Sequence, residues 1–356
     1  MRAHWGKTVF GVAVTVLLLW WALHDVSLRE VWELIGEGDP LLLLAAVTVA
    51  TLGFLIRAMR WRILLAPVKP DTTFRSRFTA VSIGFMANNV LPARVGEFAR
   101  ALAFSRLEPV SASAAFGSLV VERVLDGLVL LLFLVLPVFS PGFPGAAVFS
   151  EGMGSLVLKG AVAALAVVGG CLAVMVVWPR AFVRFAVGVS RWLPRSLARP
   201  LVDSLESFLS SLQVLRSPRL LTLAVLWSLA FWSWHAVSFW LGMKAFGIDT
   251  GFVSAVFTEA VVGFGVAIPS APGFVGTFHA SASFALSDVY GVEAARSLAF
   301  AFGYHFGGWI PVTVIGLHYA WKMGLSLGDV GAAEEIVEEA IEAVHPEGKR
   351  ALEGEV

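Results

Sequence analysis

Ionisable side chains interrupt stretches that are otherwise strongly apolar, and their types and spacing suit an anion site. The segment NNVLPARVGEF (88–98) carries Arg94 and Glu97, and Arg100 follows at the same interval of three residues. On a helix beginning near Ala93, side chains three apart share one side, so these three groups would lie together. Arginine binds phosphate or carboxylate through a planar fork that stays charged. An anionic headgroup is therefore the candidate ligand.

A second group of ionisable residues lies in the next apolar stretch. The segment VVERVLDGL (120–128) contains Glu122, Arg123 and Asp126, with Glu122 and Asp126 one helical turn apart. Charged groups within membrane-spanning segments are costly and usually mark a pathway or a binding site. Two compatible interpretations are open. These residues bind substrate, or they form an internal ion-pair network with Arg94 or Arg100.

Two asparagines, Asn88 and Asn89, precede the arginine at the same break in the apolar sequence. Their amides could hydrogen-bond the backbone groups of a turn, or the polar groups of a lipid headgroup. Since both roles place them beside Arg94, we include them among the candidate substrate-binding residues.

The second half of the chain has fewer ionisable groups within apolar sequence. They are Glu259, His235, His279 and His305. A histidine among apolar neighbours is commonly a packed structural residue, yet imidazole also titrates near neutral pH. Glu259, His279 and His305 are therefore candidates for proton coupling, with structural packing as the alternative.

Several classes of function find no support in the sequence. Lys+Arg and Asp+Glu are equal at 26 each, so no strongly basic face is available for a nucleic acid. Cys171 is the only cysteine, which leaves no disulfide framework or thiolate metal site. The sequence has no zinc-type histidine spacing and no phosphate-binding loop of the ATPase type, so we expect no metal, no cofactor and no direct use of ATP.

The composition indicates that the bilayer is the main solvent. The chain of 356 residues is 58% hydrophobic and 15% charged, whereas soluble domains carry about a quarter charged residues. A membrane-spanning helix needs about 20 apolar residues. We therefore predict an all-α polytopic membrane protein with about six transmembrane helices, at 8–26, 40–59, 111–139, 155–178, 219–246 and 293–322.

Two further apolar stretches, 74–106 and 251–288, are broken at their centres by proline, glycine and polar residues. We predict that both are re-entrant helical hairpins, which are tolerated where the turn is buried in protein or lines a cavity. Pro92 and Pro272 each interrupt a helix, because proline lacks the N–H group and clashes with the preceding turn. A proline in the first turn of the returning helix would leave free N–H groups there, which favour anions.

The distribution of Lys and Arg predicts the orientation. Clusters precede the first span, follow the second and follow the fourth, and all three lie on one face if the N-terminus is cytoplasmic. The C-terminus is then cytoplasmic too. The cations of these clusters are Arg2, Lys7, Arg57, Arg60, Arg62, Lys69, Arg75, Arg77, Arg180, Arg184, Arg191, Arg195 and Arg199.

The predicted order of span, span, hairpin and span occurs twice, in a first repeat (1–139) and a second repeat (155–322). An odd number of crossings in the first unit inverts the second, so the layout predicts an inverted-topology repeat. The segment Pro92–Phe98 aligns with Pro272–Phe278 without a gap, and both read Pro-x-x-Val-Gly-x-Phe. Repeats of this kind place the substrate near the midplane, where broken helices meet.

Two segments outside the predicted spans have distinct compositions. An amphipathic linker, 180–216, carries arginines beside apolar residues and suits the cytoplasmic surface of an anionic leaflet. An acidic tail, 326–356, follows the membrane domain of residues 1–325. Anionic lipids would repel the tail, so we expect a solvated cytoplasmic helix or a contact with a protein partner.

Three motifs together resemble the flippase-like membrane domain of lysylphosphatidylglycerol synthetases and its stand-alone bacterial and archaeal relatives. They are LPARVGEFARAL (91–102), ERVLDG (122–127) and IPSAPGFVG (268–276). The likeness extends from the first span to about residue 325. It implies a multi-pass protein of the inner membrane that moves a lipid headgroup between leaflets or assists glycolipid handling. The site residues it implies are Pro92, Gly96, Glu97, Arg100, Glu122, Arg123, Asp126, Pro272, Gly273 and Gly276.

The sequence departs from that family in two respects. In many relatives a glutamate follows the second glycine turn, whereas Thr277, Phe278 and His279 stand there in this chain. A carboxylate role on that side is therefore not expected, and His279 is the candidate substitute. The short tail after residue 325 is too small for an aminoacyl-tRNA-dependent transferase domain, so lipid aminoacylation is not expected.

The leading hypothesis is a lipid translocase, in which Arg94 and Arg100 hold an anionic headgroup near the midplane and the two units open alternately. The substrate would be an anionic phospholipid or a lipid-linked glycan. One alternative is a non-transporting membrane partner of a cell-envelope glycosyltransferase, interacting through the acidic tail. Another is an intramembrane lipid-modifying enzyme with Glu97 or Glu122 as general base. The sequence shows no nucleophile–base pair, so we expect no enzymatic activity.

Overall fold

The structure is a computed structural model. It describes residues 2–91, 94–141, 143–144, 217–268 and 270–333, together with positions 159, 163, 166, 167, 170, 214, 336 and 337. Every regular element within these residues is a helix, which confirms the predicted all-α class. The predicted span 155–178, the linker 180–216 and most of the tail fall largely outside the described residues, as does Pro92.

The helices are numbered in chain order along the described residues. Their bounds are α1 Arg2–Leu23, α2 Leu28–Glu37, α3 Pro40–Leu65, α4 Phe74–Val90, α5 Gly96–Leu107, α6 Ala112–Val135, α7 Pro218–Ala245, α8 Phe252–Gly265, α9 Thr277–Ser283, α10 Ala294–Lys322 and α11 Leu327–Gly331. Short 3₁₀ turns cover Leu136–Phe139 and Pro272–Phe274, and a π-helical turn covers Phe284–Val289.

Three described helices, α3, α7 and α10, are long and apolar enough to cross a membrane. A fourth span results if Val9–Leu23 of α1 and the amphipathic helix α2, which meet at an angle of 82°, are counted as one. Helix α6 has 24 residues, the length of a span, but carries three charged residues near its centre. The protein is thus a helical membrane protein, and the full count of six spans stays a prediction.

Polar caps fix where the long helices begin. Asp39 accepts hydrogen bonds from the N–H groups of Leu41 and Leu42, and Pro40 occupies the first turn of α3. Ser217 and Pro218 repeat this arrangement at the start of α7, with Ser217 accepting from the N–H of Leu220. A cap of this kind satisfies N–H groups that have no partner within the helix, and proline at the first turn costs no hydrogen bond.

Helix α3 extends to Leu65, beyond the predicted end of the second span at residue 59. Arg57, Arg60 and Arg62 therefore lie within the helix, and the prediction that they follow it was wrong. Arg57 and Arg60 are buried, because they face carboxylates on α6.

The two broken stretches each form a pair of helices joined by a turn. Helices α4 and α5 approach closely, since a Cβ atom at Gly84 would lie 2.7 Å from the carbonyl oxygen of Gly96 and 2.8 Å from Cβ of Arg100. In the second stretch, α8 ends at Gly265 and α9 begins at Thr277, five residues after Pro272. Pro272 is therefore not in the first turn of the returning helix, contrary to the prediction.

Contacts between helices follow a regular pattern when α3 to α6 are set in order against α7 to α10. Helix α3 packs against α7. The contacts of α3 with α4, of α4 with α5, of α5 with α6 and of α3 with α6 each have a counterpart among α7 to α10. Across the two sets, α4 packs on α10 as α8 packs on α6, and α3 packs on α10 as α7 packs on α6.

Two main apolar cores occupy the two halves of the molecule. The first joins the ends of α3 and α6 to α4 and α5, and it includes Trp61, Met86 and Phe104. The second joins α1, α7, α8, α9 and α10 around Phe239 and Phe300. The start of the predicted tail also packs on the first core, where the side chains of Val330, Ala333 and Val337 are buried.

Candidate functional site

Six charged side chains from three helices form one cluster in the first half of the molecule. Helix α3 contributes Arg57 and Arg60, α5 contributes Arg100, and α6 contributes the other three. We call these residues the arginine–carboxylate cluster: Arg57, Arg60, Arg100, Glu122, Arg123 and Asp126.

Glu122 lies at the centre of the cluster and is fully buried. Its Oε1 accepts from Nη1 of Arg57 at 2.8 Å, Nη1 of Arg100 at 2.8 Å and Nη2 of Arg123 at 2.9 Å. The Nη2 atom of Arg100 donates to Oε2 at 3.1 Å, and Nη2 of Arg60 lies 3.1 Å from Oε1. One carboxylate thus joins all four arginines.

Asp126, one turn later on α6, bonds to residues of both α3 and α7. Arg60 donates to both of its carboxylate oxygens, and Nε1 of Trp232 donates to Oδ1 at 3.0 Å. Arg60 also donates to the hydroxyl of Ser228 at 3.2 Å. The cluster therefore connects α3, α5 and α6 to α7, a helix of the second half.

Aromatic faces enclose the guanidinium groups. The Cζ atom of Arg57 lies 4.2 Å from the ring centroid of Phe231, and that of Arg100 lies 3.9 Å from Trp61. Arginine is the cation suited to such sites, because the face of its planar guanidinium group stacks on aromatic rings while its N–H groups donate in the plane of the guanidinium group.

The cluster has an excess of positive charge and one exposed edge. Four guanidinium groups face two carboxylates, so two positive charges are in excess within the cluster, or one when the nearby Glu97 is counted. The side chain of Arg123 is 41% exposed and that of Glu97 is 30% exposed, with 4.0 Å between Nη1 and Oε1. A buried excess of one charge is costly unless an ion of the opposite sign compensates it, and Arg123 is the most exposed member of this cluster.

Arg57 and Arg60 are the main residues that the sequence did not place in the site. They were predicted as cytoplasmic cations because they follow a stretch just long enough to span the bilayer. The one relevant feature of the sequence is that Glu122 and Asp126 are two carboxylates in one apolar stretch, and buried carboxylates need cationic partners. Arg100 and Arg123 already supply one cation for each carboxylate. The sequence therefore did not indicate the two further arginines that the structure shows.

Arg94 does not join the cluster. Helix α5 begins at Gly96, so Arg94 precedes it and does not share its side with Glu97 and Arg100, contrary to the prediction. Its guanidinium donates instead to the carbonyl oxygens of Val266 and Ala267, the latter at 2.7 Å, just past the end of α8. Arg94 thus links the turn of the first helix pair to the second pair.

The two asparagines bond to different parts of the molecule, Asn88 to the turn and Asn89 to α10. Oδ1 of Asn88 accepts from the N–H of Gly96 at 2.8 Å, and its amide lies 3.5 Å from Glu97. The amide of Asn89 donates to the hydroxyl of Thr313 on α10 at 3.0 Å. Of the two open roles, the structure shows the one in which Asn88 supports the turn.

The turn of the second pair contains Gly273 and Gly276, with positive φ of 70° and 88°. Both are closely packed, since a Cβ atom would lie 2.9 Å from Nε1 of Trp309 at Gly273 and 2.9 Å from the carbonyl oxygen of Thr15 at Gly276. The hydroxyl of Thr15 donates to the carbonyl of Val275 at 3.0 Å and accepts from Ala271 N–H at 2.9 Å. Helix α1 thereby holds this turn in place.

The predicted proton-coupling residues divide into two separate pairs. Glu259 is hydrogen-bonded to Nδ1 of His235 at 2.7 Å. His279 and His305 instead lie beside each other with ring centroids 5.1 Å apart, and His305 stacks on Phe278 at 4.3 Å. Within the described residues, no hydrogen bond or ion pair joins Glu259 to His279 or His305. His235, which was not among the predicted proton-coupling residues, is the partner of the buried carboxylate.

Within the described residues, no group of three or more His, Cys, Asp or Glu side chains is arranged to hold a metal ion. The first half of the described structure presents a cluster of guanidinium groups, and the second half presents a hydrogen-bonded imidazole–carboxylate pair.

Comparison of the sequence with those of known proteins identifies relatives and a family. Over 82% of this chain, the sequence is 28% identical to a protein of Haloferax volcanii named glycosyltransferase AglD, of which the match covers 50%. It is also 26% and 28% identical to UPF0104 membrane proteins of Methanocaldococcus jannaschii and Pyrococcus horikoshii, over 36% of this chain and 38% of each relative. The matches thus cover half or less of each of these relatives.

No solved structure matches the chain. The family described as the lysylphosphatidylglycerol synthase TM region matches residues 8–316, a range that includes both helix pairs and the arginine–carboxylate cluster. The chain therefore belongs to the lysylphosphatidylglycerol synthase TM region family.

Proposed function

We propose that the protein translocates lipids with an anionic headgroup between the leaflets of the membrane. The observation that carries this proposal is the excess of positive charge in a cluster whose only strongly exposed member is Arg123. Together with Glu97, a headgroup phosphate at Arg123 would neutralise that excess, while the acyl chains stay in the bilayer. Family membership supports handling of a lipid or a lipid-linked glycan.

The buried members of the cluster take a positioning role in this proposal. Arg100 and Arg57 are 3% and 4% exposed and donate to Glu122, so neither has a free face for a headgroup. Arg94 is likewise occupied by two carbonyl oxygens. The headgroup therefore contacts Arg123 first, and Arg94 with Arg100 would engage it only after the helix pairs move apart.

An inverted-topology repeat would supply that movement. Helices α3 to α6 and α7 to α10 make corresponding contacts, and α3 packs against α7, its own counterpart, as expected around a pseudo-twofold axis. The turns of the two helix pairs also meet, through Arg94 on the second pair and Asn89 beside Gly273. In this interpretation both pairs are re-entrant hairpins, and their rearrangement opens the site to each leaflet in turn.

The proposed location is the cytoplasmic membrane of a bacterium or archaeon, with both termini in the cytoplasm. Single cysteines in a Cys171→Ser background test this orientation. Asp71→Cys, at a side chain that is 82% exposed, should react with an impermeant maleimide only from the cytoplasmic side. Glu37→Cys, at the end of α2, should react only from outside. The opposite labelling pattern would invert the proposed topology.

Reconstitution tests translocation. Vesicles of phosphatidylcholine would carry a trace of phosphatidylglycerol with a fluorescent acyl chain, whose outer-leaflet share is read by chemical quenching. We expect the wild type to speed leaflet exchange and Arg123→Gln to slow it about tenfold, because a charge-assisted hydrogen bond contributes about 1.5–3 kcal/mol. Arg106→Gln, at an exposed arginine of α5 outside the cluster, should match the wild type.

The result that overturns the proposal is exchange at the protein-free rate with every anionic phospholipid and polyprenyl glycolipid tried. Exchange that is equally fast in the wild type and in Arg123→Gln would remove Arg123 from the site. Thermal unfolding of each variant shows that a slow rate does not reflect loss of the fold.

A second candidate is a non-transporting membrane partner of a cell-envelope glycosyltransferase. It is favoured by the match to half of a relative named as a glycosyltransferase. The acidic tail is the proposed contact, and its first residues pack on the first core. Loss of a co-purifying glycosyltransferase on deletion of residues 338–356 supports this role, and an unchanged set of co-purifying proteins counts against it.

A lipid-modifying activity is the third candidate. Glu122 is surrounded by arginines and fully buried, so it does not suit the role of general base. Glu97 is half-buried and remains the only predicted base with exposure. Unchanged lipid masses after incubation with the purified protein would exclude this activity for the lipids tested.

A further inference from the structure

Glu259 is a buried carboxylate in the second half of the molecule with only one described partner. It is 1% exposed, its Oε1 lies 2.7 Å from Nδ1 of His235, and its Oε2 has no hydrogen-bond partner among the described residues. The side chain of His235 is 27% exposed, so this imidazole connects the buried carboxylate to the surface of the protein.

Among the described ionisable residues, His235 is the one that bonds directly to Glu259. Within the described residues, no other ionisable group on the helices packed against α8 makes a hydrogen bond or ion pair with Glu259. On α6 these groups pair with one another, and His279 on α9 accepts from Gly276 N–H. The other ionisable groups around α8 are Glu122, Arg123 and Asp126 on α6, Arg219 and Lys244 at the ends of α7, His279 on α9, Asp288 in the π-helical turn, Tyr290 just after it, and Tyr304 on α10, which is close enough to interact electrostatically with Glu259.

A single carboxylate with a neutral imidazole carries one negative charge, which is costly in a medium of low dielectric constant. Uptake of one proton at the imidazole makes the pair neutral overall, and the proton on Nδ1 can then pass to Oε1 of Glu259. Release of that proton returns the negative charge. The pair therefore has two states that differ by one proton and by one unit of charge.

The carboxylates of the arginine–carboxylate cluster are not suited to bind and release a proton in this way. Glu122 accepts from three arginines, and Asp126 accepts from Arg60 and Trp232. Protonating either would leave guanidinium groups unpaired in the interior, which is unfavourable. Of the buried carboxylates described on α6 and α8, Glu259 is the one that can change its charge.

One face of α7 links the two sites. Ser228, Phe231, Trp232 and His235 follow the spacing of one helical side, and the first three contact the cluster through Arg60, Arg57 and Asp126. The ring of His235 stacks on Phe231, with 6.0 Å between centroids, and meets Trp232 edge-on at 6.1 Å. A shift of His235 is therefore transmitted directly to residues that hold the cluster.

We propose that the His235–Glu259 pair binds the proton that couples lipid movement to a proton gradient, and that Phe231 and Trp232 on α7 transmit its state to the arginine–carboxylate cluster. This inference rests on the proposed translocation. Proton binding itself does not, and it can be measured without any lipid movement.

Infrared difference spectroscopy of the purified full chain measures proton binding at Glu259. The wild type should show a carboxylic acid C=O band that disappears as the pH is raised, and Glu259→Gln should lack it. His235→Gln should retain the band at a shifted frequency, because the imidazole partner is lost. Thr258→Val is the matched control and should leave the band unchanged, since it removes a neighbouring buried hydroxyl that has no hydrogen-bond partner among the described residues.

Coupling is measured at steady state in vesicles with a pH difference of one unit. A stoichiometry of one proton per lipid should enrich the fluorescent phosphatidylglycerol about tenfold in one leaflet, since one pH unit equals a tenfold ratio. The leaflet that gains lipid identifies symport or antiport. Glu259→Gln should give a ratio of about one, while Thr258→Val behaves as the wild type.

The outcomes separate the two proposals. An infrared band that persists in Glu259→Gln overturns proton binding at this pair, and a wild-type leaflet ratio that ignores the gradient overturns coupling. A wild type that binds the proton but moves no lipid overturns the proposed translocation and leaves proton binding at Glu259 established.

Discussion

Arg94 and Phe274 occupy equivalent positions in the two Pro-x-x-Val-Gly-x-Phe segments, and both have left-handed backbone conformations, with φ of 58° and 60°. They also touch, with Cζ of Arg94 lying 5.0 Å from the ring centroid of Phe274. Side chains other than glycine adopt this conformation at a cost of about 1–2 kcal/mol. The two backbones then diverge at the next residue, since ψ is 4° at Val95 and 136° at Val275.

The Arg94 bridge leads to the first prediction. Arg94→Lys should lower the free energy of unfolding by about 1–2 kcal/mol, because a lysine cannot donate to the carbonyl oxygens of Val266 and Ala267 as a planar fork. Tryptophan fluorescence during thermal unfolding in detergent measures the change. Phe274→Gly is the companion variant, since it removes the cation–π contact but relieves the left-handed strain. If Phe274→Gly lowers the free energy of unfolding as much as Arg94→Lys does, the hydrogen bonds from Arg94 to Val266 and Ala267 are not the cause of the destabilisation.

The close approach of α4 and α5 gives the second prediction. Gly84→Ala should destabilise the protein by about 1–3 kcal/mol, because its Cβ would lie 2.7 Å from the carbonyl oxygen of Gly96. Gly127→Ala on α6 is the matched control, since nothing lies within 4 Å of its Cβ position. It should stabilise the helix by about 0.5–1 kcal/mol. Thermal midpoints that shift in the same direction for both variants would contradict this packing.

The arginine–carboxylate cluster gives the third prediction. Glu122→Gln should destabilise the protein by about 3–5 kcal/mol, because four guanidinium groups lose their shared carboxylate. Expression level and thermal midpoint measure this loss. Glu97→Gln, at a side chain that is 30% exposed, should cost less than about 1 kcal/mol.

A double variant makes the cluster prediction specific. Adding Arg100→Gln to Glu122→Gln removes one of the unpaired cations, so part of the stability should return. Additive losses would mean that the two residues do not interact in the folded protein.

The fourth prediction concerns pH and Glu108, which lies between α5 and α6. Its Oε1 accepts from the N–H of Thr73 at 2.9 Å, and Nζ of Lys69 lies 3.2 Å from Oε2. Burial alone raises the pKa of this carboxyl, but hydrogen bonds from Thr73, Ser76 and Lys69 outweigh burial and hold the pKa of Glu108 below its ordinary value. The ionised form is therefore the one that stabilises the fold.

A lowered pKa fixes the sign of the pH dependence. The stabilisation is complete above the ordinary glutamate pKa of about 4.3 and is lost as the pH falls below that value. The wild type should therefore be more stable than Glu108→Gln at pH 7, about 1–2 kcal/mol in free energy of unfolding, and the two should converge in acid. Thermal midpoints across this range test it, and a difference that stays constant with pH would contradict it.

The apolar runs and their breaks predicted much of the fold. The described helices α3, α7 and α10 begin within about two residues of the predicted spans, because a run of apolar residues can satisfy its backbone groups in lipid only as a helix. The two helix pairs fall within one residue of the predicted stretches 74–106 and 251–288 for the same reason. The end of α3 was missed, since arginines in a membrane helix become favourable only when carboxylates on another helix face them.

The site shows the same division. Glu122, Arg123, Asp126 and Arg100 were recognisable because charge within an apolar run is costly and must serve a purpose. Glu259 pairs with His235, which is 24 positions away in the sequence. Arg94 bonds to Val266 and Ala267, which are 172 and 173 positions away. Sequence spacing on a single helix carries no information about such contacts.

The sequence by itself determined that this is a helical membrane protein with two broken apolar stretches and with charged residues inside its apolar segments. Only the tertiary structure decided which charges meet. It buries Arg57 and Arg60 with Glu122 and Asp126, leaves Arg123 exposed, and places His235 against Glu259. The physical reason is that a charge is tolerated in lipid only beside its partner, and the packing of α3, α6 and α7 determines which partner that is.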